Sequence, residues 1–284
     1  MTIKDAVRRS AVDALRALVG ATGETGRRLL SEATALGTEP LLETIETIAT
    51  ARGPVSFYCI GDVALWRART LLTKEPETIE WIDTFQSGAV LWDIGANVGL
   101  YSVYAAMNSA VQVLAFEPSA ANYYLLNRNI QLNGSTSCRA YCMAFSDASI
   151  ADSLNMQTTG FGGALSSFGI EQDERGNQFV PSFKQGMIGL SIDDFIDRFD
   201  PPFPTHIKID VDGIENRIVR GAVKTLADRR LQSVSIELDD ARAECCIEVQ
   251  SALARAGLCQ VAKRHSDMIE AGTYPSQFNY QFRR

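Results

Sequence analysis

From residue 89 onward the chain alternates between short apolar runs and longer stretches with helical periodicity. The run Ala89–Ile94 is almost unbroken by polar residues, as expected of a strand covered on both faces, and short strand-like runs follow at Val111–Phe116, Cys138–Ala144, His206–Val211 and Val234–Leu238. Between several of them, Leu100–Met107, Ala120–Leu132, Glu215–Ala227 and Ala243–Ala256 read as helices. Strands alternating with helices predict βαβ units and a parallel sheet layered between helices. The last two runs, Leu258–Ala262 and Phe278–Arg283, are separated by a segment with too many breakers for a helix. They predict a long-looped antiparallel hairpin at one side of the sheet.

Upstream, Glu75-Pro76-Glu77-Thr78 opens a helix, because proline suits the first helical position and acids favour the N-terminal end. That helix runs through Trp81, Ile82 and Phe85 and stops near Gly88. Earlier still, Val7, Val12, Leu15, Leu18 and Val19, then Leu29, Leu30, Leu41, Leu42, Ile45 and Ile48, suggest further helices. The expected division is an N-terminal helical segment over 1–75 and a main domain over 76–284. The N-terminal helices would pack on their own domain or on a second copy, which makes them the candidate surface for a homodimer. A basic amphipathic helix carrying Arg8, Arg9 and Arg16 is also compatible with contact to a membrane surface.

Composition narrows the function classes. With 46% hydrophobic residues the chain is in the globular range, and a net charge of −7 argues against a general affinity for nucleic acid. A small-molecule or glycan acceptor fits better. The six cysteines form no C-x-x-C pair, and two histidines cannot complete a finger-like zinc site. The start lacks an apolar signal core and no segment is apolar for long enough to span a bilayer. The expectation is a cytoplasmic protein without an integral membrane segment.

The most informative stretch is Asp93-Ile94-Gly95-Ala96-Asn97-Val98-Gly99, between the first sheet strand and a helix. Glycines there allow a sharp turn and close approach of a ligand to the backbone, and ligands bind beyond the carboxyl ends of strands in such sheets. The spacing is not the G-x-G-x-x-G of dinucleotide binders. An acid before the turn and Asn97 inside it suit a zwitterionic amino-acid tail, its carboxylate toward backbone N–H groups and its ammonium toward Asp93. Glu117, at the end of the second strand before Pro118, stands where a carboxylate accepts hydrogen bonds from ribose hydroxyls. At the third strand's end, Ser146 and Asp147 would border an adenine ring, with Asp147 either accepting from its amino group or capping the following turn.

With Asp93–Gly99 followed by Phe116-Glu117-Pro118, the chain resembles the class I S-adenosylmethionine-dependent methyltransferases. Ile207-Lys208-Ile209-Asp210-Val211-Asp212-Gly213-Ile214-Glu215, then Arg220-Gly221-Ala222, is similar to the FkbM type in particular, as are Glu75–Thr78 and Asn279–Arg283. The resemblance covers roughly residues 70 to 284. It implies a Rossmann-like α/β fold with a seven-stranded, mostly parallel sheet whose last strand is antiparallel. It also implies S-adenosylmethionine as cofactor and methyl transfer, commonly to sugar or polyketide hydroxyls.

Methylating an alcohol requires alignment of oxygen, methyl carbon and sulfur, and removal of a proton. Asp210 and Asp212 at one strand end and Glu237 at the next are candidates for the second task, against a bland reading in which Asp212 and Glu215 cap the following helix. Three converging acids would also suit Mg²⁺, although Lys208 offers a simpler way of balancing them. Of the two histidines, His206 begins its strand at the opposite edge and reads as structural. His265 lies in the 263–277 loop expected to overhang the site, and is a candidate general base. The glycine- and serine-rich insertion over 152–188 is either an acceptor-binding lid or a hairpin extending the sheet. A glycan or nucleotide-linked sugar hydroxyl is the first choice of acceptor and a polyketide or other natural product the second. An NAD-dependent dehydrogenase and a non-catalytic nucleoside-binding module are the readings from other classes.

Overall fold

The computed structural model describes residue 10, residues 13–14, 17, 20–33 and 44–284, apart from 174, 266–267, 269–271 and 273–274. The chain divides into two compact units, residues 1–44 and 45–284. In the first, α1 is the helix Gly23–Ala33. Residues 10, 13–14 and 17 are helical, whereas Val7, Val12, Leu15, Leu18, Val19, Leu41 and Leu42 lie outside the described residues.

The second unit begins differently from the expected helix. Thr44–Thr50 is a strand, β1, paired with β2, Gly53–Cys59. Five of the seven residues of β1 are β-branched, and such side chains lose little freedom in a strand but crowd a helix. Thr50 closes the turn, its hydroxyl donating to the Gly53 carbonyl at 2.7 Å. The compact unit that starts at residue 45 includes most of this hairpin and helix α2, Gly61–Arg69. Helix α3, Pro76–Asp83, follows with proline in its first turn.

The main sheet has seven strands. In spatial order they are β12 (Cys259–Arg264), β13 (Gln277–Arg283), β11 (Ser233–Asp239), β10 (His206–Ile209), β3 (Val90–Ile94), β4 (Gln112–Phe116) and β5 (Cys138–Tyr141). The pairs among β11, β10, β3, β4 and β5 are parallel, and β13 is antiparallel to both its neighbours. Alternate residues of the central strands feed two cores. Leu91, Val113 and Ala115 pack with Val103, Leu125 and Leu126 on one face, whereas Trp92, Ile94, Leu114 and Phe116 pack with Phe145 and Phe195 on the other. This period of two explains why the strands read as continuous apolar runs.

Helices α4 (Leu100–Ala106), α5 (Ala120–Leu132) and α9 (Ala243–Arg255) fall where the periodicity places them. The stretch expected as one helix over Glu215–Ala227 is two, α7 (Glu215–Arg220) and α8 (Val223–Ala227). Its break at Gly221 has a cause: a Cβ there would stand 2.2 Å from the Ser146 carbonyl oxygen. The Gly221 carbonyl accepts from the N–H of Asp193 in α6, Ile192–Phe199, and the Asp193 carboxylate takes the N–H groups of Lys224 and Thr225 that open α8.

The insertion forms a second sheet, in the order β6 (Ala144–Phe145), β9 (Phe183–Leu190), β7 (Ile150–Met156), β8 (Ser166–Phe168). It is therefore a hairpin structure, yet the loop between β7 and β8 reaches the site described next. No helix among the described residues is long and apolar enough to cross a membrane.

Candidate active site

Beyond the carboxyl ends of β3, β4, β10 and β11 lies a cavity of about 600 Å³, within the size range of small-molecule sites. One wall is the turn after β3. Gly95 and Ala96 donate their N–H groups to the Phe116 carbonyl at 2.9 and 3.0 Å, which ties the turn to the end of β4. Gly95 has φ +84°, and a Cβ on it would sit 1.8 Å from the Asp210 carbonyl oxygen, so only glycine lets the ends of β3 and β10 meet. Gly99, φ +88°, is likewise closed to a side chain, by Leu126 at 2.5 Å.

Glu117 is held from two sides. Its Oε2 accepts the Asn97 N–H and its Oε1 accepts the Ser119 N–H, both at 2.8 Å. Burial nevertheless pushes its pKa up to about 7, against the pull of those donors. The carboxylate faces the cavity in a fixed orientation, beside Pro118, Ser119 and Asn122. The loop between β7 and β8 closes over this wall. Gly163 O accepts from the side-chain amides of both Asn97 and Asn122 at 2.9 Å, and Gly162 N–H donates to Asn122 Oδ1 at 2.8 Å.

The opposite wall holds the three acids expected from the sequence, Asp210, Asp212 and Glu237, which all line the cavity. Their surroundings separate them. Burial raises Asp210, but the neighbouring Lys208 and Lys74 outweigh it and hold its pKa at about 2. Lys208 Nζ lies 2.5 Å from Asp210 Oδ2 and 3.8 Å from Glu75 Oε2. Glu75, itself buried, also receives Lys74 Nζ at 2.7 Å and the Thr78 hydroxyl at 3.2 Å. Burial and then the Asp210 charge push Glu237 well up. Asp212 sits between the two: burial raises it to about 6, while the Ser166 N–H donates to its Oδ2 at 2.9 Å and partly opposes the rise. Among the described residues no three acids, cysteines or histidines are grouped to hold a metal ion; lysines stand beside the acids.

Other expected residues lie elsewhere. Asp93 is buried beneath the turn and outside the cavity lining; Ser102 donates to its Oδ2 at 2.5 Å, and its Oδ1 has no partner. Ala96 shapes the turn without lining the cavity, as does Gly99. Ser146 is buried and Asp147 is drawn away, its Oδ1 bound by Arg217 Nε at 3.0 Å and Nη2 at 2.9 Å. Burial raises the Asp147 pKa, but the Arg217 hydrogen bonds prevail and lower it. His265 does not line the cavity: its Nδ1 is 3.1 Å from the Gln277 carbonyl and its ring stacks on Phe278 at 4.1 Å. The loop that carries it does reach the site through Met268, Gly272 and Gln277.

Trp66, Arg67 and Lys74 also line the cavity and are not among the residues expected there from the sequence. Only Lys74 had a nearby signal, the charged run into Pro76. Trp66 and Arg67 belong to a helix with no motif.

These residues fit an adenosyl cofactor. The turn leaves no Cβ in the way, the Glu117 carboxylate is presented by two backbone donors, and the buried Asp93, its pKa raised by burial, keeps an oxygen without a partner below the turn. A family model, the methyltransferase FkbM domain, matches residues 93–265. No curated protein sequence matches the chain. Similar solved structures include TYW2 of P. horikoshii in complex with MeSAdo, at 10% identity over 84% of this chain and 70% of that chain, with a TM-score of 0.44. TYW2 of M. jannaschii in complex with AdoMet is 12% identical over 85% of this chain and 86% of that chain, with a TM-score of 0.41. An rRNA methylase from Streptococcus thermophilus is 8% identical over 74% of this chain and 94% of that chain, with a TM-score of 0.44.

Proposed function

The chain belongs to the FkbM methyltransferase domain family, and on that premise we propose that it methylates a sugar hydroxyl of a glycan or of a nucleotide-linked glycan precursor, with Asp212 taking the proton. The observation that carries this reading is the meeting, in one cavity, of the glycine turn and Glu117 with Asp210, Asp212 and Glu237.

S-adenosylmethionine is the methyl donor, and when bound it supplies an electrophilic methyl group on sulfonium. Gly95, Asn97, Glu117, Pro118 and Ser119 would hold it, with Glu117 accepting from the ribose hydroxyls. Methylation of a hydroxyl would release its proton, which a carboxylate of the acidic wall would take. A general base works best with a pKa near the working pH. Asp210 at about 2 is a weak base held by Lys208, and Glu237 is pushed toward its protonated form. Asp212, at about 6, is ionised at neutral pH and basic enough to accept. Lys208, Lys74 and Glu75 fix Asp210 as a charged wall beside it.

Calorimetric titration with S-adenosylmethionine, beside Glu117→Ala and an NAD control, tests the premise of the mechanism. Binding that falls at least about tenfold in Glu117→Ala, with no response to NAD, is the expected result. A folded protein that binds NAD instead would overturn it.

A further inference from the structure

Helix α2 puts two consecutive side chains, Trp66 and Arg67, on the cavity wall. Trp66 is 45% exposed, whereas the other two tryptophans, Trp81 and Trp92, are 2% and 0% exposed. Their indole N–H groups are bonded inside the protein, to Ser233 Oγ at 2.9 Å and to the Pro202 carbonyl at 3.0 Å. The exposed indole thus stands at the solvent side of a cavity whose inner residues, Glu117 and Asn122, are buried. Arg67 donates Nε to the Gly162 carbonyl at 2.6 Å; its Nη groups make no hydrogen bond among the described residues, and its charge acts on Asp210 and Asp212.

We propose that Trp66 and Arg67 form the acceptor subsite, and that it takes a pyranose ring. A pyranose has an apolar C–H face and an edge of hydroxyls. The indole offers a flat apolar plate for the first, and the free Arg67 N–H groups donate to the second. Asp212 and Gln277 on the same cavity supply acceptors and an amide for the remaining hydroxyls. A wholly apolar scaffold would desolvate Arg67 and the acids without replacing their hydrogen bonds, at a cost in affinity. The plate is also fixed in place. Gly162, at φ +74°, leaves a hypothetical Cβ only 3.0 Å from Ala64 N, so α2 and the Gly162 loop are in close contact. That loop is in turn bonded to Asn97 of the glycine turn through Gly163. Platform and cofactor turn are therefore held in one register, the preorganisation that methyl transfer needs.

This inference rests on the methyltransferase reading, and the distribution of tryptophans allows the two to be tested apart. Acrylamide quenching of intrinsic fluorescence reports Trp66 alone, since Trp81 and Trp92 are buried. The probes are S-adenosylhomocysteine, methyl α-mannopyranoside, methyl α-rhamnopyranoside, UDP-N-acetylglucosamine and an apolar macrolactone. In protein loaded with S-adenosylhomocysteine, at least one of the sugar probes should lower the quenching constant about twofold, and Trp66→Phe should remove the quenchable emission. Trp66→Ala should weaken binding of that sugar about tenfold in calorimetry while S-adenosylhomocysteine binds as before. Shielding by S-adenosylhomocysteine alone, shielding by the macrolactone only, or shielding by none of the probes each overturns the subsite. Protein that binds no S-adenosylhomocysteine but whose Trp66 a pyranoside shields would keep the subsite and remove the methyl transfer.

Discussion

His206 begins strand β10, and four residues later Asp210 follows its end; the two ends are built on opposite principles. Around His206 the polar side chains bond to one another. Its Nδ1 is 2.8 Å from Ser233 Oγ, which also accepts the Trp81 N–H at 2.9 Å, and its ring stacks on Phe85 at 4.0 Å. Burial lowers its pKa to about 4, so the imidazole stays neutral. At the other end Glu75 and Lys208 are buried, Asp210 is partly buried beside Lys208, Asp212 and Glu237 have raised pKa values, and Asp93 keeps an orphan oxygen. A polar group satisfied within the protein contributes to stability, whereas one left poised toward a cavity is available to a ligand. Position along one strand thus separates residues that fold the protein from residues that act.

The largest expected effect falls on the acting end. Asp212→Asn keeps an acceptor for the Ser166 N–H but loses the base, so kcat should drop about 10²- to 10⁴-fold with S-adenosylmethionine affinity unchanged. Single-turnover rates and calorimetry on one preparation check this. A variant with undiminished kcat would move proton transfer to another group.

Next comes the ion cluster. Lys208 is 2% exposed and stands between Asp210 and Glu75. Lys208→Met leaves both carboxylates without that charge, and removing one partner of a buried pair costs about 3–5 kcal/mol. Urea unfolding at neutral pH should show that loss, and adding Asp210→Asn should recover part of it. At the opposite end, Ser233→Ala strands the Trp81 N–H and one ring nitrogen of His206. It should cost about 1–3 kcal/mol and leave cofactor affinity and kcat as they were. A fall in kcat from Ser233→Ala, at constant folded fraction, would mean that the two ends are not separable.

The same contrast governs what was legible in the sequence. The glycine turn, Glu117 and the acids after β10 and β11 are specified by strand polarity and a few adjacent residues, so a linear pattern reveals them. Trp66 and Arg67 reach the cavity only because α2 packs on the Gly162 loop, about a hundred residues away, and no local pattern encodes that contact. The β1–β2 hairpin was hidden by apolar residues whose spacing also suits a helix, although the run of threonine and isoleucine marked it. Asp147 and His265 follow strand ends, and each side chain has partners away from the cavity, Arg217 for one and Gln277 with Phe278 for the other.

The smallest effect is a difference in pH dependence. Glu117 and Glu215 at about 7 and Asp212 at about 6, all raised chiefly by burial, stand above their ordinary values. The folded state then binds protons that the unfolded chain has released, so their contribution is present at low pH and is lost as pH rises through 6 to 7. His206 acts with the opposite sign: its contribution is present above its ordinary 6.5 and is lost as pH falls through about 4. Between pH 4 and 7, three carboxylates outweigh one imidazole, and stability should decline as pH rises. Asp212→Asn should make that decline shallower and His206→Phe should make it steeper, each by about 1 kcal/mol per pH unit. Thermal unfolding followed across this range decides it. If both substitutions shift the slope in the same direction, the two ends of β10 do not carry opposite proton linkage.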